Sequence, residues 1–274
     1  MKYTLQSIKY TVKNFLYIIP FALLPALCFA FSLDAEAIGE ISRNYFTGHP
    51  GDSSFTDIFR AVALFNFRSG WAFLAGLLGF VLTVLCASLI FAMVEKHMRI
   101  GKRTWTGVFS RINDNLLSTL GICALYALIY EVWVLIASAL IYLMLRFSAL
   151  AVAYVFSALV YLGMHFVLLY AVSVFYLWLP CLQITGFRSF EALRYSYQLV
   201  SPVKAKIIFG QFLGILIAEA ALTAYALFVP NPVGFLVIAT LLLTWMLGLF
   251  CVRMQVVYFD RAGLDRADLQ RRYY

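Results

Sequence analysis

Long apolar runs alternate with four clusters of basic residues in this chain, and the apolar runs come in pairs between the clusters. A membrane-spanning helix needs about 20 apolar residues, and cytoplasmic loops of membrane proteins carry an excess of Lys and Arg. The pattern therefore predicts a multi-pass membrane protein with its basic loops on one side. The clusters are Lys2, Lys9 and Lys13; Lys96, Arg99, Lys102, Arg103 and Arg111; Arg188, Arg194, Lys204 and Lys206; and Arg253, Arg261, Arg266, Arg271 and Arg272.

The overall composition excludes a soluble domain. Of 274 residues, 64% are hydrophobic and only 12% are charged, which is too few polar side chains to cover a soluble fold. The basic residues that give the chain its net charge of +8 flank the apolar runs. This position predicts contact with anionic lipid headgroups rather than with nucleic acid. The five cysteines lie in or beside apolar runs without CxxC or Cys/His spacing, so we expect no metal, no cofactor and no disulfide framework.

The number of spans depends on how the apolar stretch 116–180 is divided. The other spans are predicted at 10–33, 71–94, 207–229 and 233–256. Two helices of about 31 residues in the middle would each be about 46 Å long, whereas three shorter helices would match the bilayer core of about 30 Å better. Only two helices keep all four clusters, with 17 of the 21 basic residues, on one side. We therefore predict six spans in the cytoplasmic membrane, with both termini cytoplasmic and the surplus length taken up by tilt or extension.

The segment 34–70 is the long loop predicted on the outer side. Ser54 and Asp57 form a capping-box pattern before several apolar residues, which predicts a short amphipathic helix. This helix either lies on the outer membrane surface or packs over the bundle as a lid. The small residues Ala35 and Ala37 imitate a signal-peptidase site, but we expect the first span to remain uncleaved.

A short amphipathic segment precedes each odd-numbered span on the basic side. Each places apolar residues on one helical face with basic residues beside them, which is typical of a helix in the membrane interface. The predicted fold is thus all-α: a single membrane domain 1–274 of six helices, built as three repeats of interfacial helix plus helical hairpin. The repeats are 1–95, 96–180 and 181–257, with a cytoplasmic tail 258–274. The apolar faces are Leu5, Ile8 and Val12; Trp105, Val108, Phe109 and Ile112; and Phe190, Leu193 and Tyr197.

Two sequence segments carry a resemblance to a known group. These are FRSFEALRYSYQLV, residues 187–200, and the ending YFDR, residues 258–261, with the later pairs Leu264-Asp265 and Asp268-Leu269. Over about residues 180–269 the chain resembles uncharacterised bacterial six-span proteins related to the membrane domain of glycerophosphoryl diester phosphodiesterases. The resemblance implies a six-span fold. It implies no phosphodiesterase activity, because the chain has no such catalytic domain.

Four intramembrane polar residues are the candidate functional positions: Glu131, Glu219, Gln211 and His165. Ionisable groups are costly in lipid and usually face the bundle interior, so we expect the faces bearing Ala124 and Glu131, and Gln211 and Glu219, to turn inward. The carboxyl groups could serve either as proton or cation ligands or as structural hydrogen-bonding groups. Gly210 and Gly214 form a GxxxG pair, which predicts close helix packing within the chain or between chains.

No catalytic, nucleotide-binding or metal-binding motif is apparent. We therefore predict a non-enzymatic membrane protein, acting as a structural, envelope-related or partner-binding factor. Its expected partners are anionic lipid headgroups and a protein partner or a second copy of the chain, but no nucleic acid. The alternative is a small-solute or ion transporter or channel that uses Glu131 and Glu219.

Overall fold

The computed structural model describes residues 2–108, 110–147, 149–229 and 231–269, with only the backbone at 110–115. Helices form most of these ranges, and no strand occurs within them. Six helical segments are long and apolar enough to cross a membrane. The predicted all-α, six-span membrane fold is therefore confirmed.

The helices follow one another with short connections. They are α1 Lys2–Lys13, α2 Phe15–Ser32, α3 Ala35–Phe46, α4 Phe55–Val62, α5 Gly70–Ile100, α6 Ser110–Leu145, α7 Leu150–Val174, α8 Trp178–Thr185, α9 Ser189–Val200, α10 Lys204–Phe228 and α11 Pro232–Arg261. The six spans are built on α2, α5, α6, α7, α10 and α11.

The apolar stretch 116–180 forms two spans, as predicted, but a turn interrupts the second. Helix α7 ends at Val174, and after a turn the chain starts the separate helix α8 at Trp178. Two hydrogen bonds fix this turn: the Tyr126 hydroxyl donates to the Phe175 carbonyl over 2.6 Å, and the Leu177 N–H donates to Ser196 Oγ over 3.1 Å. The break between α7 and α8 thus accommodates part of the length by which the stretch 116–180 exceeds two bilayer crossings.

Helix α2 packs between α5 and α11. Its contact face carries small residues, including the fully buried Ala22, and glycines on the neighbours allow close approach. A Cβ atom added to Gly79 on α5 would lie 2.9 Å from a ring carbon of Phe29. One added to Gly248 on α11 would lie 3.2 Å from Ile18. This close packing makes α2, α5 and α11 the structural core.

The two ends of the described chain meet at one end of the bundle. The Lys2 Nζ atom lies 2.9 Å from Asp260 Oδ1, and the Tyr3 hydroxyl donates to Asp260 Oδ2 over 2.6 Å. Burial and the hydrogen bond with Asp260 raise the pKa of the Tyr3 phenol to about 12. We call this end, which carries α1, α9 and the end of α11, the basic end.

The segment between α2 and α5 packs over the opposite end of the bundle. The predicted capping box of Ser54 and Asp57 starts α4, and Ile58 on α4 is buried. The Tyr130 hydroxyl on α6 donates to the Val62 carbonyl at the end of α4 over 2.8 Å. Of the two alternatives for this helix, the packed lid is therefore the one observed. We refer to α3, α4 and residues 63–69 as the lid.

Two of the three predicted amphipathic segments form separate helices, α1 and α9. In the second segment, α6 begins at Ser110 and continues directly into the span. Phe109 lies outside the described residues, as do the side chains of 110–115. The expected interfacial helix is thus separate in the first and third units only.

Helices α1 and α9 bury corresponding faces. The buried positions have the same spacing in both: Tyr3, Ser7, Tyr10 and Thr11 on α1, and Ala192, Ser196, Leu199 and Val200 on α9. The predicted apolar faces point away from the bundle, with Leu5 and Phe190 largely exposed. This correspondence supports kinship between the first and third units, and the threefold repeat stays a prediction.

Candidate ligand cavity and intramembrane polar clusters

A cavity of about 430 Å³ lies between the six spans. Its volume falls within the range of about 300–1,000 Å³ that is typical of small-molecule sites. All six spanning helices contribute to its wall, and the wall is mainly apolar and aromatic. Its aromatic residues are Phe29, Phe80, Phe91, Tyr126, Tyr130 and Phe250.

The polar side chains of Thr83 on α5, Gln211 on α10 and Arg253 on α11 also line this cavity. Gln211 is 6% exposed and Arg253 is 4% exposed. Among the described residues, neither polar atom of the Gln211 amide has a hydrogen-bond partner, and Arg253 Nε has none either. Within the described part of the chain, no carboxylate forms an ion pair with Arg253. Arg253 therefore places a cation without an ion-pair partner among the described residues close to one end of the cavity, while the exposed surface of the wall is almost wholly apolar.

Arg253 is the residue at this site that the sequence pattern did not single out. The sequence pattern groups it with the fourth basic cluster, for which contact with lipid headgroups is expected. The structure instead places it inside the bundle, eight residues before the end of α11 at Arg261, a depth of about 12 Å along the helix. One signal could have identified it: the nearest neighbours on both sides, Val252 and Met254, are apolar.

Glu219 and His165 meet near the middle of the bundle. The Tyr161 hydroxyl forms a short hydrogen bond to Glu219 Oε2, and His165 Nε2 lies 3.1 Å from Glu219 Oε1. His165 is 1% exposed, and its ring packs edge-on against Trp133 with centroids 5.0 Å apart. The structure thus joins two of the four predicted polar positions, from α7 and α10, in one cluster.

The hydrogen bonds of His165 require a proton between His165 and Glu219. His165 Nδ1 lies 2.8 Å from the Tyr161 carbonyl oxygen, which can only accept, so Nδ1 carries a hydrogen. A hydrogen bond between Nε2 and Glu219 Oε1 then needs a second proton, on either the imidazole or the carboxyl group. The pair is therefore either imidazolium with carboxylate or neutral imidazole with carboxylic acid, and both share one exchangeable proton.

Glu131 has a different environment. Its Oε1 atom accepts hydrogen bonds from the N–H groups of Leu64, over 2.9 Å, and Phe65, over 3.0 Å. These N–H groups follow the end of α4 in the lid, so the carboxylate anchors the lid to α6. Glu131 and Glu219 each have their own partners, and the structure does not bring them together.

The faces of α6 and α10 that are predicted to turn toward the bundle interior do so only in part. On α6, Ala127 lines the cavity, whereas Ala124 is exposed, so the expectation is wrong for Ala124. On α10, Gln211 faces the cavity, while Glu219, eight residues or about 12 Å further along the helix, turns toward α7. These two residues therefore belong to separate sites.

The GxxxG pair takes part in packing within the chain. A Cβ atom added to Gly210 would lie 2.5 Å from Thr4 Oγ1, so the side chain of Thr4 on α1 comes close to α10 at this point. Among the described residues, Gly214 has Met246 Cε as its near neighbour, at 4.0 Å, and lines the cavity. One glycine thus leaves room for a side chain of α1, and the other helps to leave space between α10 and α11.

Within the described residues, no group of three or more His, Cys, Asp or Glu side chains comes together in a way that could hold a metal ion. Comparisons with protein-family models, with curated proteins and with solved structures find no match to this chain. The resemblance to the phosphodiesterase-related membrane proteins therefore stays a prediction.

We predict that Glu131→Leu lowers the stability of the protein by about 2–5 kcal/mol, because it leaves two backbone N–H groups of the lid without an acceptor. The measurement is unfolding of the purified protein in mixed micelles. Glu131→Gln should cost less, since its amide oxygen can still accept. Glu40→Leu is the matched control, because Glu40 is an exposed lid carboxylate. Equal stability of the Glu131→Leu and Glu40→Leu proteins would contradict the anchoring role.

Proposed function

We propose that the protein is a non-enzymatic multi-pass membrane protein that binds a hydrophobic ligand between its spans. Among the structural, envelope-related and partner-binding roles that the sequence allows, this is the partner-binding role, with a lipid-like molecule as the partner. The observation that carries the proposal is the apolar cavity of about 430 Å³ lined by all six spans.

The size of the cavity favours an occupant. Protein interiors are close-packed, and voids larger than a water molecule are few. The cavity is open to its surroundings on part of its wall and is not sealed. A hydrophobic molecule from the surrounding membrane would therefore supply contacts to its apolar wall.

The proposal includes an orientation in the cytoplasmic membrane, with the basic end in the cytoplasm. Residues from all four basic clusters, such as Lys9, Lys102, Arg194 and Arg261, support it through the positive-inside rule. The exposed apolar faces of α1 and α9 support it further, because such faces fit the interfacial layer of the membrane. In this orientation, anionic headgroups are the partners of the exposed basic residues.

Transport of a proton or another small cation is the second candidate function. The observation that favours it is the shared proton between His165 and Glu219, with the Tyr161 hydroxyl as a third member of the cluster. Proton relays in membrane proteins use such chains of carboxylates and histidines. Glu131 has no part in this candidate, because two backbone N–H groups occupy its carboxylate.

We predict that filling the cavity weakens ligand binding. Ala127→Phe places a phenyl ring into the cavity wall and should reduce binding of methyl palmitate, a neutral single-chain probe, at least tenfold. Ala124→Phe is the matched control, because it makes the same change one turn away on the exposed side of α6. Native mass spectrometry of the detergent-solubilised protein measures the bound fraction. Absence of binding to the unaltered protein would contradict the proposed function.

The orientation predicts which positions an impermeant thiol reagent can label. In a background without the native cysteines, Gln198→Cys on the polar side of α9 should react only after cell lysis, and Phe46→Cys on α3 should react in intact cells. Both native side chains are exposed, so accessibility alone does not separate them. Labelling of Gln198→Cys in intact cells would contradict the orientation.

The transport candidate predicts proton flux that depends on Glu219. After a pH jump across proteoliposomes, a trapped pH-sensitive dye should report flux through the unaltered protein. That flux should fall at least tenfold in Glu219→Gln and persist in Glu131→Gln. If the unaltered protein shows no flux above empty liposomes, with protons or with added monovalent cations, transport is excluded.

A further inference from the structure

A buried cation beside the cavity favours an occupant with a matching charge. Arg253 and Gln211 are both more than nine-tenths buried, both belong to the wall of the cavity, and both have polar atoms without a partner among the described residues. We propose that the ligand is an anionic amphiphile: one alkyl chain with a carboxylate or phosphate headgroup held by Arg253 and Gln211, whose polar groups lie just behind the apolar wall and turn toward the headgroup when it binds. This inference rests on the proposed function and adds the chemical class of the ligand.

The charge of Arg253 cannot be removed by loss of a proton, because the guanidinium remains protonated in proteins. A buried charge without a counterion costs several kcal/mol, and Arg within a membrane span is costly as well. Water beside Arg253 and Gln211 could hydrogen-bond the two side chains but would leave the charge uncompensated. A carboxylate or phosphate would supply both the opposite charge and acceptor oxygens, in the planar two-point arrangement that guanidinium groups favour.

Gln211 completes the headgroup site. Its side-chain amide can donate two hydrogen bonds and accept others, and none of these is made within the described chain. Gln211 lies seven residues from the start of α10 at Lys204, and Arg253 lies eight residues from the end of α11 at Arg261. Both are thus about 10–12 Å from the basic end. Two neighbouring helices therefore present donors at one depth.

The remainder of the cavity fits an alkyl chain. On α5 its wall extends from Phe80 to Phe91, about 16 Å along the helix, and Leu64 of the lid closes the far side. The cavity is thus elongated, with its polar groups toward the basic end and its apolar groups toward the lid. This polarity orients the ligand with its headgroup toward the basic end.

The test compares three probes with the same chain length: palmitate, hexadecyl phosphate and methyl palmitate. Binding to the detergent-solubilised full chain is measured by native mass spectrometry and by displacement of a spin-labelled fatty acid. The unaltered protein should bind at least one of the two anions ten or more times more tightly than the neutral ester. The stronger of the two anions identifies the headgroup chemistry.

Arg253→Gln should abolish the preference for the anion while keeping the binding of methyl palmitate. Arg253→Lys, which keeps the charge but loses the planar fork, should retain part of the preference. It also provides a second test if Arg253→Gln fails to fold. Arg194→Gln is the matched control, because Arg194 is an exposed cation at the same end of the bundle, and it should leave all affinities unchanged.

Each outcome has a distinct meaning. Equal binding of anions and ester by the unaltered protein would overturn the headgroup site but leave the hydrophobic ligand site intact. An anion preference that survives in Arg253→Gln and falls in Arg194→Gln would also overturn it, by placing recognition at the surface. Absence of binding by all three probes would overturn the proposed function itself.

Discussion

The close packing of α2 between α5 and α11 is the constraint on which the rest of the structure depends. Small residues on α2 and glycines on its neighbours bring these three helices together, as at Gly79 against Phe29 and Gly248 against Ile18. In a membrane, where lipid tails are as apolar as side chains, such close contact is a principal source of helix association. The other three spans complete the bundle around this core, and the cavity lies where the two parts meet.

Much of the fold follows from the sequence because two signals in it are strong. Apolar length sets the spans, and the sidedness of the basic residues resolves the stretch 116–180 into two helices rather than three. The end of α7 at Val174 does not follow, because it depends on a hydrogen bond donated by the Tyr126 hydroxyl and on another accepted by Ser196 Oγ, and neither residue is a sequence neighbour of the turn. Likewise, the choice between a surface helix and a packed lid depends on tertiary contacts from Tyr130 and Glu131.

The candidate sites were less predictable than the fold. The cost of a carboxylate in lipid identifies Glu131 and Glu219 as positions that need partners, but it does not distinguish their roles. Backbone N–H groups satisfy the first and a histidine with a tyrosine the second. The internal position of Arg253 could not be predicted, because the residue lies near the end of an apolar run, where basic residues usually contact lipid headgroups. Only the packing of α10 and α11 shows that its guanidinium lies beside an internal space.

The anchoring of the lid by Glu131 has a consequence for how a molecule could exchange with the interior. Leu64, whose N–H group Glu131 holds, is also part of the cavity wall. Opening the wall there would break two hydrogen bonds, at about 1 kcal/mol each. Among the described residues, no hydrogen bond of this kind ties α10 to α11 beside Gly214, where Met246 is the near neighbour. The lid is therefore a costlier place for a molecule to enter than the gap between these two helices.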